Sequence, residues 1–238
     1  MPPGEQAYTG GKQNRQGVEA DWNPGFQRFS AIIGIMPAVR PWPLRLIATL
    51  LAVALFLWPK SGEADDPLVG QLLVASPELS EAIFSRTVIL IVEHSDQGAL
   101  GIVINQPFEQ RSIASLLEKF GKKDSDVKGD VQVYAGGPME PDVGFIVHSI
   151  EYHRPETLPL DSQIAVTANI EVLRDLGHGK GPKKLILAFG YAGWGPGQLE
   201  VELARHDWVT IPEDPALLFD DDRKKVWDDA RARIGQPL

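Results

Sequence analysis

The amino-acid sequence predicts an α+β domain, on three observations. Apolar β-branched runs and amphipathic helical segments are mixed without the strict strand–helix–strand rhythm of a parallel sheet. Two successive runs, 87–92 and 99–105, are separated by the turn Ser95-Asp96-Gln97-Gly98, which makes them an antiparallel hairpin. The stretch Gly190-Tyr191-Ala192-Gly193-Trp194-Gly195-Pro196-Gly197 holds four glycines and a proline in eight positions. It reads as a built turn that ends one strand, 184–189, and starts a helix, with Pro196 in the first helical turn.

Taken in order, residues 72–75 are a first strand, cut by Ser76-Pro77. The run 87–92 is continuously apolar and is expected as a central strand buried on both faces. In the next strand Gly101 marks a bulge or a close backbone approach. Asn105, before Gln106-Pro107, reads as a turn former. Residues 112–120 are a helix: Ser112 can cap it, and Ile113, Leu116, Leu117 and Phe120 recur at helical spacing. A charged loop, 122–129, follows. Runs 131–135 and 144–148 are strands joined through Gly136-Gly137-Pro138. Residues 151–160 are irregular, with Pro155 and Pro159, and 164–166 are a short strand. The helix 169–176 has Asn169 as cap and Ile170, Leu173 and Leu176 on one face. Helix 196–205, strand 208–211 and a final helix 223–234 complete the chain. The aspartates at 220–222 suit the dipole of that last helix, whose Trp227, Ala230 and Ile234 are expected to face inward.

The N-terminal quarter differs in kind. From Leu46 to Trp58 run 13 residues without a charge, preceded by Arg40 and Arg45. Gly62 and Ala64 place small residues at −3 and −1 of a cut after Ala64. A basic flank, a short apolar core and a small-residue end make a secretory signal, and the run is shorter than the ~20 residues of a membrane span. Met36 opens a segment of normal signal length. The expectation is a signal peptide over 36–64, a disordered, non-native upstream extension over 1–35, and a single domain over 65–238. The mature protein is then periplasmic or secreted, and touches membrane only through the signal segment before cleavage.

Charge and composition exclude several functions. The net charge is −9 with 43% hydrophobic residues, and residues 1–64 hold six of the 23 basic and four of the 32 acidic residues. Residues 65–238 are left with 17 basic and 28 acidic residues, a net −11. Such a domain repels phosphate backbones, so no direct nucleic acid is expected as a partner. The absence of cysteine excludes disulfides, thiol nucleophiles and Cys-ligated zinc.

Several blocks occur together in order: Phe84-Ser85-Arg86-Thr87 into the apolar run, Gly98-Ala99-Leu100-Gly101, Asn105-Gln106-Pro107, Tyr134-Ala135-Gly136-Gly137-Pro138, Gly144-Phe145-Ile146-Val147-His148-Ser149, the glycine-aromatic stretch, Trp208, Leu217-Leu218-Phe219-Asp220, Trp227 and Ile234-Gly235. In this order and spacing the chain resembles the YqgE/AlgH family of bacterial proteins, over about residues 68–235. The resemblance implies a bent, bifurcated, mostly antiparallel sheet curled into a pseudo-barrel with helices around it. It brings no catalytic residues. Some members carry a transcriptional-regulator label that derives from a genetic role.

The candidate ligand-binding residues are Gly136, Gly137, His148, Tyr191, Trp194, Gly195, Gly197, Gln198 and Glu200. Free N–H groups at a helix start and glycine access suit an anion. Against this, the stretch is neither a dinucleotide fingerprint nor a Lys-Ser/Thr phosphate loop, and Glu200 and Glu202 repel phosphate. The structural alternative makes Tyr191 and Trp194 packing anchors. Glu93, His94, His148 and Glu200 supply metal or acid/base chemistry, but without paired spacing on one helix, and neighbours on a strand face opposite ways. Ser85, His148 and Asp220 are the residue types of a hydrolytic triad without a nucleophile elbow. The run 220–222 lacks the ligand spacing of a calcium loop. No catalytic residue, metal set or cofactor is assigned. The reading is a non-enzymatic binding or regulatory module with an unknown protein or small-molecule partner. The alternatives are an enzyme, a hydrolase or nucleotide-handling protein, using the glycine-rich turn with His148 and Glu200, and a transcriptional regulator.

Overall fold

The computed structural model describes residues 68–235, so the expected upstream extension and signal peptide lie outside the described residues. Ten strands form one branched sheet: β1 (Leu72–Ala75), β2 (Val88–Ser95), β3 (Gly98–Val103), β4 (Pro107–Ser112), β5 (Asp130–Ala135), β6 (Met139–Ser149), β7 (Leu158–Pro159), β8 (Ile164–Thr167), β9 (Leu185–Trp194) and β10 (Trp208–Ile211). Five short helices accompany them: α1 (Ile113–Lys119), α2 (Glu171–Gly177), α3 (Gln198–Ala204), α4 (Pro215–Leu218) and α5 (Val226–Ala232). The main path runs β10-β1-β2-β3-β9-β6-β8-β7, and β5 joins it beside β9 carrying β4 on its far side. Every pairing is antiparallel except β5 with β9. The sheet curls into a half-barrel, the α+β architecture expected.

One face of the strands lines a shared interior. Leu72 and Val74, Val88 and Leu90, Leu100 and Ile102, Phe145 and Val147, and Ile164 and Val166 all point into it. The interior is filled by Leu217 and Leu218 of α4 and by Val226, Trp227 and Ala230 of α5. The outer face is divided. Over β10 and β1–β3 it packs Trp208, Leu73, Ile89 and Ile91 against Leu199 of α3. Over β5, β6 and β9 it packs Val131, Val133, Ile146 and Leu187 against α1 and α2. Two-sided burial explains why β2 reads as an unbroken apolar run: Val88, Ile89, Leu90 and Ile91 are all fully buried. Each such side chain contributes about 1.5–3 kcal/mol.

Strand β9 is the branch. Its first half pairs β5 on one side and β6 on the other, through Leu187 opposite Val133 and Ile146. Its second half pairs β3, with Ala192 opposite Gly101 and Trp194 opposite Ala99. The expected turn over 190–197 is therefore corrected. The strand continues through Gly190, Tyr191, Ala192 and Gly193 to Trp194, and only Gly195 onward turns. The glycines accommodate a neighbour instead of stopping the strand. Gly190 has φ +77°, and a Cβ there would sit 2.3 Å from the Gly137 carbonyl oxygen. That φ also shifts the alternation of side chains: Ile186 and Ala188 face the interior, and so does Tyr191, three residues on. Strands β5 and β6 follow each other through Gly136-Gly137-Pro138 as expected, and each pairs with β9, one on either side.

Other elements match or shift for local reasons. Ser112 caps α1, its hydroxyl accepting from the Ser115 amide at 3.2 Å. Asn169 accepts from the Glu171 amide at 2.9 Å at the start of α2. The bulge expected near Gly101 falls on the facing strand between Ile91 and Glu93. A Cβ on Gly101 would lie 2.4 Å from Ile89 Cγ2, so the close approach is also present. Helix α3 starts at Gln198 after Gly197, so Pro196 precedes it. Strand β4, the two-residue β7 and helix α4 were not expected, and Ile234 is exposed. Asn105 is no turn former: it is buried, accepts from the Val88 amide at 2.8 Å and donates to the Arg86 carbonyl at 2.9 Å. It ties down the start of β2 where Arg86 holds a left-handed φ of 55°.

Candidate functional site

The candidate residues fall into three places along β9. Gly136, Gly137 and Tyr191 meet at its branch. The Gly136 amide donates to the Phe189 carbonyl at 2.7 Å and its own carbonyl accepts from Val103 at 2.8 Å. A Cβ on Gly137 would overlap the Tyr191 carbonyl carbon at 2.1 Å. These glycines are filled by backbone. Tyr191 is only 3% exposed and its ring meets Phe145 edge-on at 6.1 Å. Burial, then the neighbouring Glu140 carboxylate, push its phenol up to about 12.

The second place is the end of β9 with α3, holding Trp194, Gly195, Gly197, Gln198 and Glu200. Trp194 is 7% exposed and lies edge-on to Trp208 at 6.2 Å. Both indoles donate to one carboxylate oxygen, Glu202 Oε2, at 2.8 and 2.9 Å. Gln198 donates to Glu202 Oε1 at 2.9 Å and accepts from the Gly195 amide at 3.1 Å. The sequence assigns Glu202 only the role of repelling phosphate, and the structure makes it the shared acceptor of two indoles. Glu200 pairs with His94 Nε2 at 2.7 Å; a backbone hydrogen bond first, and then this pairing, hold its carboxyl below the usual range.

The third place is the start of β9. His148 is fully buried and lies opposite Leu185. Its Nδ1 is 3.0 Å from the Ser149 carbonyl, which only accepts, so Nδ1 carries the proton. Nε2 then accepts from the Thr167 hydroxyl at 2.9 Å, and Thr167 accepts from Thr157 at 2.8 Å. The Arg154 amide closes the chain on Thr157 at 3.0 Å. Burial pushes the His148 pKa down, so the neutral tautomer is the resident form. His148 and Glu200 thus stand at opposite ends of a ten-residue strand, on the order of 30 Å of chain apart. They are not brought together, nor is His148 with His94. Among the described residues no group of three or more His, Asp or Glu side chains is placed to hold a metal ion.

One exposed feature borders the branch. Residues 139–142 are exposed at the irregular step in the β6–β9 register, and Glu140 has a left-handed φ of 43°. Met139 is 44% exposed, and its sulfur occupies the space a Cβ on Gly193 would need, at 2.6 Å. Asp142 pairs with Lys119 at 3.6 Å. The Lys119 ammonium sits 5.9 Å from the rings of Phe120 and Phe189, which lie parallel at 6.1 Å. Strain in a non-glycine residue beside an exposed Met and an aromatic pair is the kind of arrangement found at binding sites. The sequence carried no periodic signal for it.

The AlgH-like family model matches residues 72–238. A UPF0301 protein of Methylococcus capsulatus is 37% identical over 180 residues, covering 76% of this chain and 98% of its own. A UPF0301 protein of Methylocella silvestris is 42% identical over 176 residues, covering 71% of this chain and 85% of its own. The solution structure of the AlgH protein from Pseudomonas aeruginosa is similar at 37% identity and a TM-score of 0.59, over 71% of this chain and 89% of that one. A crystal structure of a protein from Corynebacterium diphtheriae shares the fold, with a TM-score of 0.56 at 24% identity over 73% of this chain and 89% of that one. The chain belongs to the AlgH-like family, as its motifs indicated.

Proposed function

We propose that this member of the AlgH-like family is a non-enzymatic binding or regulatory module that acts outside the cytoplasm. Its recognition surface is the strip from Met139 through Asp142 to Lys119 and Phe120. The observation that carries this reading is the contrast between the two sides of the branch. The chemistry of the glycines, Tyr191 and Trp194 is taken up by backbone and core contacts. Beside it, the strip exposes a Met, a strained Glu and Phe120, which stacks on the half-buried Phe189, rimmed by Lys119 and Asp142. Apolar and aromatic side chains with a charged rim are the composition of a protein-binding patch. The separation of His148 from Glu200 supports a binding role over the hydrolase alternative. The apolar run from Leu46 to Trp58 and the small residues before Asp65 support export.

A photo-reactive amino acid at position 139 or 120, in the native host, tests the surface. The expected result is one shared adduct from both positions and none from Ile83, which is 62% exposed on the β1–β2 connection. The adduct should vanish in Met139→Asp with the melting curve unchanged. No adduct, or the same adduct from position 83, overturns the proposal.

A further inference from the structure

The two margins of the curled sheet, β10 and β7, meet through a pair of acids. Asp161 lies in the turn between β7 and β8, and Glu213 lies two residues beyond the end of β10. The margins share apolar packing: Ile211, Leu217 and Leu218 lie in the same core as Ile164, with Leu158 and Leu160 against it. Across this seam the Asp161 and Glu213 carboxyls lie close enough to share a hydrogen bond if one of them is protonated. Asp161 Oδ2 and Glu213 Oε2 are both buried and find no N–H or hydroxyl donor. Two carboxylates can bond only when one of them keeps a proton.

Local geometry decides which one does. Asp161 Oδ1 accepts from two backbone amides, Gln163 at 2.5 Å and Ile164 at 2.8 Å, which favours its ionised form. Its second oxygen, buried and without an N–H or hydroxyl donor, is then left as an acceptor, so the proton resides on Glu213. The other charged groups at the seam do not alter this. Asp214 adds a further negative charge against Glu213 and is itself paired with Arg233 of the segment after α5, at 2.5 Å. The flanking Leu158, Pro159 and Leu160, and Gly70 beside Leu160, bring no charge.

We infer that Asp161 and Glu213 form a proton-locked clasp that closes the seam of the half-barrel, and that removing the shared proton opens it. The clasp is independent of the recognition strip. Burial, the bond to Asp161 and the nearby negative charges together raise Glu213 to about 8, so the proton is present at neutral pH and leaves under mildly alkaline conditions. Because the folded state raises this acid above its ordinary value of 4.5, its contribution is present at lower pH and is lost as pH rises through about 8. Two facing carboxylates would then drive the β7–β8 turn and the segment after β10 apart.

The test uses the full chain and two near-isosteric variants, Glu213→Gln and Asp161→Asn. A carbon-13 carboxyl titration of the wild type should show Glu213 near 8 and not in the ordinary carboxylate range. Between pH 7 and 9.5 the wild-type folding constant should fall about three- to tenfold more than that of Glu213→Gln, whose amide still donates to Asp161. Hydrogen exchange corrected for intrinsic rate should rise over residues 158–166 and 208–214 in the wild type alone. Asp161→Asn should move the Glu213 titration down from about 8, leaving only the part that burial and Asp214 raise. Glu213 titrating near 4–5 in the wild type, or an equally steep alkaline loss in Glu213→Gln, overturns the clasp. Restoration of alkaline stability by added calcium would also overturn it, in favour of a cation site.

Discussion

Glu202 ties strand to helix by accepting from two indoles on one oxygen, and its removal strands both donors. Trp194 is buried against Trp208, so Trp194→Ala should cost about 3–5 kcal/mol, read as a shift in the denaturant midpoint. Glu202→Ala should cost about 1–3 kcal/mol, because two part-buried indole N–H groups lose their acceptor. Combined with Trp194→Phe, Glu202→Ala should cost less than the sum of the two, the mark of a shared interaction. An unchanged midpoint in Trp194→Ala would show the indole to be dispensable for packing. At the other end of β9, His148 is held neutral. Its folded pKa lies below the ordinary 6.5, so the unfolded chain takes up the proton first. Stability from this group is full above about 6.5 and is lost as pH falls. His148→Gln should flatten the acid limb of stability between pH 7 and 5, even if it lowers stability overall; an identical slope would show that His148 ionises in place.

At the scale of the element, the branch strand explains where local rules lead elsewhere. Four glycines in eight residues argue for a turn when judged by propensity alone, yet β9 runs through two of them: at Gly190 the Gly137 backbone leaves no room for a Cβ, and at Gly193 the Met139 side chain fills the space. The contrast between two glycines tests this. Gly190→Ala places a Cβ 2.3 Å from the Gly137 oxygen at a positive φ, and should cost at least about 3 kcal/mol or prevent folding. Gly197→Ala meets no atom within 4 Å and should cost only the left-handed backbone term, about 1–2 kcal/mol. Equal losses, measured by the same melts, would show that conformation and not crowding selects glycine here. Strands β1, β2, β5, β8 and β10 were legible because each carries a short apolar run between breakers. Strand β4 was not: it is an edge strand, Pro107 to Ser112, with no residue fully buried and with Phe108 73% exposed, so it lacks the alternation that burial on one face imposes. Asn105 and Glu202 were illegible for a related reason. A side chain that satisfies backbone or indole groups across the fold has no local spacing to announce it.

For the whole molecule, two large-scale properties set its working environment, and both can be measured without a known partner. The first is the leader. Cleavage after Ala64 predicts that intact-mass analysis from the native host finds a chain beginning at Asp65. A soluble chain that retains Leu46 to Trp58 would end the export proposal. The second is charge. Residues 65–238 carry 28 acidic against 17 basic residues, and several of the arginines and lysines are already engaged: Arg86 with Asp228, Arg154 with Asp175, Arg205 with Asp207, Lys225 with Asp222. Binding to duplex DNA gains its sequence-independent affinity from cations that displace condensed counterions, and each phosphate contact adds to the salt slope. A surface whose arginines already face carboxylates must break those pairs and bring its own negative field against the phosphates. A gel-shift titration of the mature domain should therefore stay unshifted at micromolar protein and ordinary salt. It should stay so on lowering the salt, because weaker screening lengthens the reach of the repulsion along with any attraction. A shift that strengthens steeply as salt falls would require a cationic face that outweighs a net −11, and would return a transcriptional role to consideration.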